Sequence, residues 1–224
     1  MSDGLDTPIG RALAASPGRA ALAAGAATTL VALDMWSPLG LDVIWARLVP
    51  GVAGLLLLGF LARWDIASLG LRVRLLPDAR YWIRGAIAIG LIVLGVVALA
   101  ALGALILGLP LQYPSETDSS VFFPWFLRSC FGAPVYEELL YRLVFCVAMV
   151  ALAGRWPAIL LSGAVFAFLH VVYGVPSPDN FSAGFVFAWA FFRSGSILVP
   201  AVLHSLGNLC VVLSHLAYFW WTHS

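Results

Sequence analysis

The sequence predicts an all-α protein: a polytopic transmembrane helix bundle of about seven spans (six to eight), with polar groups gathered inside the bundle. Three observations carry that expectation. Apolar residues make up 62% of the 224-residue chain and charged residues only 10%, against roughly 25% charged in an ordinary soluble domain. The stretch from Gly85 to Leu109 holds no charge at all, and about 20 such residues at about 1.5 Å each cross the hydrocarbon of a bilayer. Polar breaks then recur at fairly regular intervals. The bilayer itself is thus an expected partner, and residues 1–224 read as a single integral membrane domain. The formal net charge of +1 gives no basic patch and argues against nucleic acid as a partner.

The spans expected from hydropathy run over about 20–35, 43–62, 84–109, 121–152, 157–175, 181–194 and 197–221. Arg47 and Pro50 weaken the second, and the sixth is short. The fourth reads either as one tilted helix or as two pieces broken near Gly132 and Pro134. Arg63, Arg72, Arg74, Arg80 and Arg84 fall between the second and third spans, which places that connection in the cytoplasm. The next connection, "LQYPSETDSS", has acids and no arginine. Alternation then puts Arg155, Arg193 and the N-terminus in the cytoplasm and the C-terminus outside. Trp36, Trp64, Trp82, Trp125, Trp156, Trp220 and Trp221 sit near expected span ends, where indole rings favour the headgroup layer. The segment "LGLRVRLLPDARYWIRG" reads as an arginine-bearing amphipathic surface anchor. Arginine without lysine, in an Ala-, Gly-, Leu- and Pro-rich chain, suggests a GC-rich bacterial source and hence a bacterial inner membrane. Cys130, Cys146 and Cys210 share no metal-ligand spacing and read as buried free thiols.

Three polar constellations interrupt the apolar background. The first is Glu137, Glu138 and Arg142, in a chain with only one other glutamate, Glu116. On a helix Glu138 and Arg142 are i, i+4 neighbours and can pair, while Glu137 points about 100° away and is free to face something else. The second is "FAFLH", with Phe166 and His170 on one face; the third is "HSLGN", with His204 and Asn208 on another. Each has a bland reading: an ion cluster at a helix end, an interfacial histidine, a polar contact between helices. Together they place ionisable groups, which are costly in a membrane, on three helices. A carboxylate, two imidazoles, an amide and an arginine form a list of acid–base and oxyanion groups. His215 and His223 lack such companions and read as structural or interfacial.

In order, "EELLYR", "FAFLH" and "HSLGN" resemble the EExxxR, FxxxH and HxxxN motifs of the CAAX-protease and bacteriocin-processing (CPBP, or ABI) membrane proteins. The resemblance covers about residues 120–215; the N-terminal helices at about 20–109 carry no recognisable motif. It implies a glutamate-type intramembrane endopeptidase acting on a membrane-associated peptide or protein. By resemblance, Glu137 is the general base for water, His170 helps to hold that water, and His204 with Asn208 donates to the oxyanion. Glu138 and Arg142 support the site, and Phe166 packs. Gly163, Ala167, Gly184 and Ala188 allow close packing around a water-filled cavity. The resemblance implies no cofactor. The alternative within the same residues is a metal-dependent protease with zinc on Glu137, His170 and His204, although no HExxH is present. A non-catalytic membrane scaffold or immunity protein and a proton-coupled transporter are the readings from other classes.

Overall fold

The computed structural model describes residues 8–36, 44–108, 119–174 and 178–223. The acidic connection with Glu116 therefore lies almost wholly outside the described residues. Among the described residues the chain is all-helical, with one isolated antiparallel bridge between Leu71 and Ser196. A single turn, α1 (Arg11–Ala14), precedes α2 (Pro17–Met35). Pro17 opens α2 at a position where its missing N–H costs nothing. Then follow α3 (Ile44–Leu61) and α4 (Ala79–Ile106), the latter capped by the Asp78 carboxylate, which accepts from the Tyr81 N–H at 2.8 Å. Helix α5 runs unbroken over residues 119–153, and α6 (Arg155–Val172), α7 (Pro178–Ser194) and α8 (Leu198–His223) complete the bundle.

Each expected span falls on one of α2 to α8. By length and composition one described helix, α6, is apolar enough to cross a membrane, with shorter apolar stretches at Ala46–Leu61 and Leu198–Ser214. The fourth span is neither a plain helix nor a broken one. Two π-helical stretches, Arg128–Gly132 and Leu139–Cys146, flank the α-helical turn Ala133–Glu138 that carries both glutamates. Gly154, at φ +87°, is the single residue between α5 and α6, a backbone geometry that glycine adopts without a Cβ clash.

The core gathers around α5. Leu140, Tyr141, Val144 and Val147 are fully or almost fully buried against Leu13 of α1, Ala23 and Ala27 of α2 and Leu58 of α3. On the other side α6 and α7 meet backbone to backbone. A Cβ on Gly184 would lie 2.9 Å from the Gly163 carbonyl oxygen and 3.0 Å from the Phe166 Cβ. The expected small-residue contact is there, and it presses Phe166 into the bundle.

The arginine-rich connection between α3 and α4 forms a strap. The Gly10 N–H donates to Ser68 O at 2.8 Å, the Ile197 N–H to Gly70 O at 2.9 Å and the Leu76 N–H to Ser194 O at 3.1 Å. It ties the start of the chain to the α7–α8 turn, so these connections share one end of the bundle. Asp65 organises its first turn. Slight burial pushes its carboxyl up, but the Ser68 hydroxyl and the Ser68 and Ala67 N–H groups outweigh that and hold it below the usual carboxylate range. Trp36, Trp64 and Trp156 lie exposed at helix ends, whereas Trp82 is buried. Its indole N–H donates to Leu76 O at 2.8 Å and its ring packs edge-on to Trp189, so it anchors the strap and not a headgroup. Cys130 and Cys146 are buried free thiols, as expected; Cys210 is exposed.

Candidate active site

The two adjacent glutamates are both buried and both reach the same imidazole. His204 Nδ1 lies 2.9 Å from Glu138 Oε1, and His204 Nε2 lies 3.8 Å from Glu137 Oε2. A carboxylate only accepts, so the close contact fixes a hydrogen on Nδ1. Glu138 Oε2 in turn lies 3.1 Å from Arg142 Nε, the i, i+4 pair read from the spacing. Arg142 is completely buried. Its Nη1 donates to Ser162 Oγ at 3.2 Å, and its guanidinium faces the Phe166 ring at 5.0 Å and the Phe187 ring at 5.9 Å.

Phe166 is the hub of the second constellation. Its ring centroid lies 4.6 Å from that of His170 and 5.9 Å from that of His204, so one aromatic ring touches both imidazoles. Phe187 stacks on His204 at 4.9 Å, and its ring lies edge-on to Phe166. His170 Nδ1 donates to the Phe166 carbonyl, one turn back on α6, at 2.9 Å. That bond leaves Nε2 of neutral His170 as an acceptor.

Asn208 does not reach either glutamate in this arrangement. Its amide Nδ2 donates to the Ser129 carbonyl at 2.7 Å. The local sequence explains why that oxygen is available. The Ala133 N–H bonds Arg128 O in π register, five residues back. In the same register Ser129 O would receive the N–H of residue 134, and residue 134 is proline. Asn208 supplies the missing donor and keeps one further amide hydrogen.

A second buried cluster went unread in the sequence, where Arg47 counted only against the second span. The Arg47 Nε and Nη2 donate to Asp34 Oδ1 and Oδ2, each at 3.0 Å, a bidentate fork. Nη1 donates to the Tyr136 hydroxyl at 2.9 Å and stands 3.6 Å from Glu137 Oε1. The Tyr141 hydroxyl donates to Asp34 Oδ2 at 2.9 Å, and that of Tyr173 to the Asp34 carbonyl at 3.0 Å. A signal for this cluster was present. Asp34 and Arg47 are the lone charges within the first two expected spans, of opposite sign and on consecutive helices.

Among the described residues no group of three or more His, Cys, Asp and Glu side chains is placed to hold a metal ion.

Residues 119–210 match the family model Rce1-like, the type II CAAX prenyl endopeptidase Rce1-like domain. Over that segment the chain is similar to the Rce1-like family. This is the family that the three motifs resemble, and it is a family of integral membrane peptidases. The Rce1-like segment starts with α5 and ends within α8, so it contains every motif residue and leaves α1 to α4 outside. No curated protein and no solved structure matches the chain.

Proposed function

We propose that the protein is an intramembrane endopeptidase that hydrolyses a peptide bond in a membrane-associated protein or peptide, with Glu137 as general base. The observation that carries this reading is the convergence of Glu137, Glu138 and His204 beside Phe166, which also seats His170. The glutamates and His204 are buried, and the site draws on all three motifs.

The reaction then runs as follows. Water sits between Glu137 and Nε2 of His170. Glu137 takes one proton as the water oxygen bonds to the scissile carbonyl carbon. The carbonyl oxygen becomes an oxyanion, stabilised by the remaining amide hydrogen of Asn208 and by His204 when it donates from Nε2. Collapse of the tetrahedral intermediate breaks the C–N bond, and Glu137 returns its proton to the leaving amine. Glu138 orients His204 through Nδ1 and is itself compensated by Arg142. No metal takes part in these steps. A substrate helix hides its peptide bonds, so the bound segment is extended or unwound at the scissile position. The helices cross a bacterial inner membrane with the N-terminus and the α3–α4 strap in the cytoplasm and the C-terminus outside.

Purified wild type and Glu137→Gln, incubated in 18O-labelled water with solubilised membrane proteins, test this chemistry. New C-termini carrying the label with wild type alone, and persisting in chelator, are the expected outcome. Loss in chelator with recovery on adding zinc would instead establish the metal-dependent reading.

A further inference from the structure

The buried charges around the site fall into two matched pairs and one remainder. Asp34 faces Arg47, Glu138 faces Arg142, and Glu137 has no guanidinium of its own. The nearest is Arg47, whose third nitrogen, Nη1, turns away from Asp34 towards Tyr136 and Glu137 Oε1. That guanidinium has little room to swing. Asp34 grips it through two nitrogens, Tyr136 holds the third, and its carbon lies 4.2 Å from the Tyr136 ring centroid and 4.9 Å from that of Tyr173. Asp34 is fixed in turn by the hydroxyls of Tyr141 and Tyr173. At 3.6 Å in a buried setting, a fixed cation holds a carboxylate oxygen in one direction much more firmly than it would at a surface.

We propose that Arg47 is a positioning residue for Glu137. Anchored by Asp34, it pins Oε1 and leaves Oε2, on the His204 side, as the oxygen that meets water. The proposal rests on Glu137 being the base and extends the working site to α2 and α3, outside the segment that matches the family. The planar fork is the feature that matters. A lysine at position 47 keeps the charge and loses the simultaneous grip on Asp34, Tyr136 and Glu137.

The chain has only three glutamates, so full-length protein labelled with 13C at the glutamate carboxyl carbon gives three signals in NMR. Loss of one in Glu137→Gln assigns Glu137. Arg47→Gln is expected to move the Glu137 signal while leaving Glu138 in place, and to slow wild-type-dependent cleavage about tenfold or more. Arg47→Lys is expected to recover part of both. Because Arg47→Gln strands the Asp34 charge, the double variant Asp34→Asn/Arg47→Gln provides a folded comparison with both charges removed; it should shift the same signal. An unmoved Glu137 signal in both variants, whatever the cleavage rate, overturns the positioning role. Peptide termini that do not change in Glu137→Gln sink the underlying protease reading instead, independently of the spectra.

Discussion

Arg142 and Arg47 solve the same problem with different neighbours. Each is a guanidinium taken out of water, and each is acceptable because a carboxylate on the same or the next helix accompanies it. Arg142 has the poorer hydrogen bonding, one bond to Ser162 and two aromatic faces, so its worth lies mostly in compensating Glu138. Arg142→Met should therefore destabilise the protein by about 3–5 kcal/mol, while Glu138→Gln/Arg142→Met should lose clearly less than the two single changes combined. Thermal unfolding in detergent measures both, and strict additivity would show that the pair is not coupled. This contact was legible because helical spacing alone brings residues four apart together. The Asp34–Arg47 pair was not, since its partners sit on two helices and nothing local tells which intramembrane charges will meet. Asn208 shows a further limit. Its position on α8 was readable, but its partner, a carbonyl freed by a π turn, depends on backbone register.

At the scale of elements, α5 is the irregular helix that carries both motif glutamates. Its two π stretches bracket the glutamates, and single-turn π segments recur at functional sites for this reason: they re-aim neighbouring side chains without ending the helix. Gly132 and Pro134 marked the place in the sequence, yet their presence alone fits a break, a kink or a π turn equally well. Pro134 leaves Ser129 O to Asn208. Pro134→Ala restores an N–H that competes for that oxygen, so Asn208 should lose its anchor. Cleavage is expected to fall about tenfold while the helix becomes no less stable. Unchanged cleavage, with the Asn208 amide signal unmoved in NMR, would show that Asn208 is held by other means. The packing of α6 on α7 through Gly163 and Gly184 was the readable counterpart, because small residues at facing positions permit close approach whatever the backbone register.

For the molecule as a whole, apolar composition and periodic polar breaks made an all-helical bundle legible, and the order of its long helices with it. What they left open was how the first half engages the second. Two devices do so: the strap of residues 62–78, which joins α1 to the α7–α8 turn, and the Asp34–Arg47 cluster, which joins α2 and α3 to Glu137. Neither has a local pattern, since both depend on contacts between residues far apart in sequence. The proposed function makes Glu137 the base with which this assembly cuts peptide bonds. The most direct measurement compares peptide termini in membranes from cells carrying wild type or Glu137→Gln at matched expression and folding. Termini that occur with wild type alone are the predicted result, and they name the substrate. Identical termini in the two membranes would contradict the account and leave Glu137 as part of a non-catalytic scaffold.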